Sequence, residues 1–83
     1  MTYEQIEDIL RRKNSELLFE IRFKARNSIR GLFIKTADYK ELSRKNLWRI
    51  VSETHIEAYK RTADESLARI FNGTEFTKLA EFS

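Results

Sequence analysis

Residues 69–79 read RIFNGTEFTKL and hold one of only two glycines in a chain of 83 residues that contains no proline. Asn-Gly is the dipeptide best suited to the two positive φ angles of a type I′ turn, so Asn72 and Gly73 are expected to join two strands. On that reading residues 66–71 and 74–80 form a last hairpin. The stretch before it allows two readings. Ile56, Tyr59, Ala63, Leu67 and Ile70 share helical spacing and Thr54 with Glu57 makes a capping box, which fits one helix over 55–71 with Gly73 beyond its C-terminal end. Thr62 with Glu65 gives a second cap signal midway, which favours a short helix near 54–61 followed by the strand.

Upstream, the patterns are clearer. Thr2 followed by Gln5 fits a capping box, and Tyr3, Ile6, Leu10 and Lys13 share one helical face that Ile9 widens. Glu4, Glu7 and Asp8 precede Arg11, Arg12 and Lys13, an order that complements the helix dipole and sets up i,i+4 pairs, so residues 2–13 are expected to be helical. From Glu16 to Lys24 the period becomes two. Leu17, Phe19, Ile21 and Phe23 face one way and Leu18, Glu20, Arg22 and Lys24 the other. With IRGLFIKT after the polar ARNS, residues 16–24 and 29–36 read as an antiparallel hairpin, and Gly31 as a bend of the kind a barrel corner needs. Residues 37–46 are polar and expected to bury little, as one helical turn or a long loop. LWRIV at 47–51 suits a central strand, with Trp48 in the core.

The totals restrict what such a chain can be. At 83 residues it is expected to form a single domain, 1–83, with a helix over 1–14 and a small β-barrel over 15–83. Its 41% hydrophobic and 35% charged residues fit a folded, water-exposed protein. No apolar run has the length of a membrane span, and MTYEQIEDIL is acidic where a signal peptide would be basic, so a cytoplasmic location and no membrane role are expected. Without cysteine there is no disulfide or thiolate metal site, and association of copies is one route to more buried area.

Enzyme signatures are missing. Two isolated glycines do not make a phosphate-cradling loop, and none of the six serines stands in a nucleophile-elbow context. His55 is the single histidine and has no second histidine or cysteine to share a metal; Glu53 and Glu57 flank it as a solvated face would. The expectation is a non-enzymatic protein with no small-molecule cofactor and no metal.

Helix, apolar strand, a second strand with an internal glycine, a short third strand and a last hairpin around a glycine is an order of elements that resembles the Sm-like (Sm/LSm) small-barrel family. Ile70, Phe71, Asn72, Gly73, Phe76 and Leu79 are similar to that family's second motif, with Asn72 standing where arginine is usual. Gly31 matches the glycine of the first motif, and Asp38 lies one residue later than its aspartate. The resemblance implies a mainly β (α+β) fold, an N-terminal helix followed by a strongly bent five-stranded antiparallel Sm-like or SH3-like barrel. It also implies pairing of edge strands between copies into a homo-oligomer, and single-stranded RNA as ligand. Carried over residue by residue, it places RNA contacts at Asp38, Tyr39, Asn72 and Gly73.

Charge adds independent candidates. The net charge is +3, yet Arg22, Lys24, Arg26, Arg30 and Lys35 fall between Ile21 and Lys35 with no acidic residue among them. That local excess is greater than the whole net charge and can attract a polyanion. Arg22, Lys24, Arg26 and Arg30 are therefore expected to form a basic ridge that binds RNA together with the turn loops. Two other readings stand beside it: the cations protect a strand edge from aggregation, or the domain is a protein–protein interaction module of the same fold whose Trp48, Tyr59 or exposed aromatics meet a partner.

Overall fold

A computed structural model describes residues 1–13 and 18–82. The chain runs α1 (Tyr3–Arg12), β1 (Leu18–Phe23), β2 (Ile29–Phe33), α2 (Tyr39–Arg44), β3 (Leu47–Ser52), α3 (Ile56–Thr62), β4 (Arg69–Asn72) and β5 (Phe76–Phe82), with single 3-10 turns before α3 and on either side of β4. It is an α+β fold. The strands form one five-stranded antiparallel sheet in the order β4-β3-β2-β1-β5. No helix among the described residues is long and apolar enough to cross a membrane.

α1 starts where the sequence marks it. The Thr2 side chain accepts from the Gln5 backbone N–H at 3.2 Å while the Thr2 N–H donates to Gln5 Oε1 at 2.9 Å, a reciprocal capping box. Arg12 and Asp8 form the expected i,i+4 ion pair at 2.7 Å. The helix buries Ile6 and Leu10 against one face of the sheet, where Phe19, Ile21, Phe33, Trp48, Ile50, Phe76 and Leu79 complete the core. Phe33 is the hub of its aromatic part: Phe19, Trp48 and Phe76 meet it edge-on with centroids 5.7, 6.1 and 6.5 Å away. Each such pair adds about 0.5–1.5 kcal/mol to the burial of the rings. On the other face a smaller cluster of Leu32, Ile34 and Val51 is covered by Ile56 and Tyr59 of α3 and by Ala68.

Several expectations need correction. The first hairpin forms, with Phe19 opposite Gly31 and Ile21 opposite Ile29, but β2 ends at Phe33, beyond which the Ile34 N–H still donates to the Arg49 carbonyl of β3 at 3.1 Å; positions 16 and 17 of the expected first strand lie outside the described residues. Gly31 serves close packing: a Cβ there would stand 2.5 Å from Ile50 Cγ2 and 3.2 Å from the Val51 carbonyl oxygen on β3. Of the two readings of residues 37–46, the helical one holds and the long loop is excluded: they contain α2, which buries Ser43. The single helix over 55–71 is excluded, because α3 ends at Thr62 with Ala63 in the left-handed region.

The largest correction concerns the opening stretch. β4 and β5 do not pair with each other. β4 pairs with β3, β5 pairs with β1, and the two lie at opposite edges, so the sheet is not closed into the expected barrel. Asn72 has φ −88° and no described glycine has positive φ, which excludes the type I′ turn. Residues 73–75 instead make a 3-10 turn pinned on both sides. The Gly73 N–H donates to the Asn46 carbonyl at 2.8 Å, and the Lys24 N–H donates to the Glu75 carbonyl at 2.9 Å. Held between those two points, the chain crosses the end of the sheet rather than reversing beside β4.

Candidate nucleic-acid interface

The ridge is built by strand alternation and a bulge. Along β1, Phe19 and Ile21 are wholly buried while Arg22 is exposed. The pairing of β1 with β5 shifts register between Arg22 and Phe23, and such a bulge increases local twist and re-aims side chains. Lys24 through Ser28, the connection to β2, is exposed throughout.

Arg22 stands directly opposite Lys78 of β5. Like charges facing each other across an antiparallel pair destabilise it, and among the described residues neither side chain has an ion-pair partner. β1 lies inside the sheet, with β2 on one side and β5 on the other, so Arg22 guards no edge. The edge-protection reading therefore does not account for it.

Arg26 extends the ridge in a different way. Its guanidinium carbon lies 5.0 Å from the Phe23 ring centroid and 5.7 Å from that of Phe71, a cation held over two aromatic faces. Arg30 faces Glu20 across the hairpin and lies 3.7 Å from Glu53, with both partners well exposed. Arg26 and Arg30 line the same groove of about 600 Å³, together with Arg69, Phe71, Ser52 and His55 among others. The sequence did not mark Arg69, Phe71 or Lys78 as RNA contacts, Phe71 entering only as a residue of the second motif, since only strand pairing brings β4 and β5 to this end of the molecule.

The four positions carried over from the family motifs are engaged locally. Arg49 donates through Nε to Asp38 Oδ1 at 3.3 Å and through a terminal nitrogen to Oδ2 at 2.8 Å, and the Thr36 hydroxyl also donates to Oδ1. Those bonds, Arg49's first, hold the Asp38 carboxyl at about 2, below the ordinary 3.8. Tyr39 is half-buried, edge-on to Trp48 with centroids 6.0 Å apart, and the Lys35 ammonium lies 5.2 Å from its ring centre. Burial and then the Glu7 carboxylate push its phenol up to about 12. Tyr39 also borders a second depression, of about 470 Å³, with Lys35, Lys40 and Arg44. Asn72 is exposed, but its side-chain oxygen accepts from the Thr74 N–H at 3.0 Å and the Thr74 hydroxyl at 2.9 Å. Gly73 is buried.

The arrangement offers cations, flat groups and short hydroxyls around an open groove, which suits a flexible polyanion with planar bases. Among the described residues no group of three or more His, Cys, Asp or Glu could hold a metal. Comparison with known proteins finds no matching family model, no matching curated protein and no matching solved structure.

Proposed function

We propose that this protein is a non-enzymatic, Sm-like single-domain protein that binds single-stranded RNA through the basic β1–β2 hairpin and the neighbouring turns. The observation that carries the reading is Arg22, on interior strand β1, facing Lys78 of edge strand β5, with neither in an ion pair among the described residues. A phosphate backbone laid across that pair replaces repulsion with attraction. Support for the family comes from the order of the helix and the first three strands, which follows the resemblance. The edges of β4 and β5 are unpaired within one copy, which is what association through edge strands would use.

The test is a fluorescence-anisotropy titration of a labelled single-stranded RNA at several salt concentrations. If the ridge supplies four phosphate contacts, log affinity falls with log salt at a slope of about −3. A variant with Arg22, Lys24, Arg26 and Arg30 all changed to Gln loses most of that slope and most of the affinity. Undetectable or salt-independent binding by the unmodified protein overturns the proposal. Light scattering at two concentrations tests the homo-oligomer separately.

A second reading, a protein-interaction module of the same fold, is favoured by Ile70, which is 47% exposed on edge strand β4. Trp48, at 2% exposure, is not available to such a partner. A stoichiometric protein partner retained after nuclease treatment and lost in Ile70→Lys would support it.

A further inference from the structure

The groove beside the ridge has features that phosphate attraction alone does not call for. Phe71 and Arg69 are two residues apart on β4 and both line it, so they project to the same side about 6.6 Å apart along the strand. Their partners across β3 are Trp48 and Ile50, which places them on the core-facing side of the sheet. Here the apolar interior gives way to solvent: Phe71 is half-buried and Arg69 is exposed. Arg26 closes the arrangement from the hairpin, its guanidinium over Phe71 and Phe23. Phe23 and Phe71 have centroids 5.8 Å apart. The groove thus joins an aromatic wall, a flat cation lying against it, and a second guanidinium one strand step away.

We infer that this groove is a nucleotide subsite, in which one unpaired base of the RNA stacks on the Arg26–Phe71 pair and the adjoining phosphate meets Arg69. The inference rests on the RNA-binding reading and deepens it by saying where a base is held. The described lining carries three guanidinium groups, Arg26, Arg30 and Arg69, and two carboxylates, Glu20 and Glu53; both carboxylates lie beside Arg30, Glu20 opposite it across the hairpin and Glu53 at 3.7 Å, so Arg26 and Arg69 are the cations offered to an anion. Flatness selects a base, since a guanidinium plane and an aromatic ring both stack on nucleobases of any identity. Arg26 is therefore both an attractor and a platform. Its cost of immobilisation is already reduced, because the two rings hold it before ligand arrives.

The stacking role and the charge role separate in one pair of variants. Arg26→Lys keeps the charge and loses the plane; Arg69→Gln keeps the plane and loses the charge. Two probes serve, a labelled short oligouridylate for affinity and the same oligomer carrying one 2-aminopurine, whose emission is quenched on stacking. The expected result for Arg26→Lys is at least fivefold weaker binding with the salt slope unchanged and the 2-aminopurine quenching diminished. Arg69→Gln is expected to keep the quenching at saturation and flatten the salt slope by about 0.7. Phe71→Leu, which preserves apolar filling at a half-buried site, is expected to behave like Arg26→Lys. Because Arg26 is exposed, Arg26→Lys folds whether or not the Phe71 change is tolerated, and thermal melts confirm it. Wild-type affinity and quenching in Arg26→Lys overturn the subsite while leaving ridge binding standing. No RNA binding by the unmodified protein removes the RNA-binding reading itself, and the subsite with it.

Discussion

The Trp48 indole N–H donates to the Asn46 side-chain oxygen at 2.8 Å, and Asn46 holds this position with a positive φ of 61°. The same Asn46 donates through Nδ2 to the Met1 carbonyl at 2.9 Å and accepts at its backbone oxygen from Gly73. Trp48 is nearly completely buried, so its N–H has no solvent to turn to. Asn46→Ala leaves that donor unsatisfied, at about 1–3 kcal/mol, and puts in the left-handed region a residue without the polar side chain that lets asparagine visit it, which adds a smaller loss. Urea unfolding is expected to show a loss of about 2–4 kcal/mol for Asn46→Ala and a smaller one for Asn46→Asp, which keeps an acceptor for Trp48. A change within about 0.5 kcal/mol in Asn46→Ala would contradict the assignment.

Gly73 depends on the same neighbour. A Cβ at Gly73 would collide with Asn46 Oδ1 and stand 2.6 Å from Ile6 Cδ1 and 2.8 Å from Asn46 Cγ. The requirement is for space, since Gly73 does not have positive φ. Gly73→Ala is expected to destabilise by about 1–3 kcal/mol through overpacking. Truncating Asn46 opens part of that space, so Gly73→Ala should cost less in the Asn46→Ala background than in the wild type. A double-mutant cycle measures the difference; additive losses would mean that the two sites do not share the cavity.

Gly73 also shows where sequence reading stops. Asn-Gly was a sound local signal for a turn, but the glycine is there for close approach to Asn46 and Ile6, residues far away in the chain. Local patterns succeeded where local forces decide. The capping box and charge order specify α1, and period-two alternation specifies β1, since both act over a few residues. α2 was legible only as one of two alternatives, a helical turn or a long loop, because its sequence is polar; what decides for the helix is the packing of Tyr39 against Trp48 and the burial of Ser43, neither visible in ADYKELSRKN. The candidate site divides in the same way. Arg22, Lys24, Arg26 and Arg30 stand out as a run, whereas Lys78, Arg69 and Phe71 join them only once β5 pairs with β1 and β4 with β3.

Ala63 offers a stabilising change away from the site. It terminates α3 with φ 54° and ψ 30°, its N–H donating to the Tyr59 carbonyl, and it is exposed. Glycine is the usual residue at a left-handed helix end because it has no Cβ to crowd the following carbonyl. Ala63→Gly relieves about 1–2 kcal/mol of that crowding and loses about 0.5–1 kcal/mol to the greater freedom of the unfolded chain. A net gain of about 0.5–1 kcal/mol is expected, read as a higher urea midpoint with unchanged slope. A lower midpoint would show that the end of α3 is not held in this conformation.

Asp38 makes stability depend on pH in a direction its surroundings fix. Hydrogen bonds from Arg49 and Thr36 favour the carboxylate in the folded chain, so its folded pKa of about 2 lies below the ordinary 3.8. A depressed folded value means that the proton binds more tightly to the unfolded chain, so protonation favours unfolding. The stabilisation is complete above 3.8 and is lost as pH falls from there toward about 2. Thermal melts at about pH 5 and about pH 2.5 should show a larger fall in Tm for the wild type than for Asp38→Asn, which cannot titrate. Other carboxylates contribute to both proteins and cancel in the comparison. Because both partners are partly exposed, added salt should shrink the difference, as it does for ion pairs in contact with water. Equal falls in the two proteins at low salt would show that the Asp38–Arg49 contact contributes nothing to folding across this window.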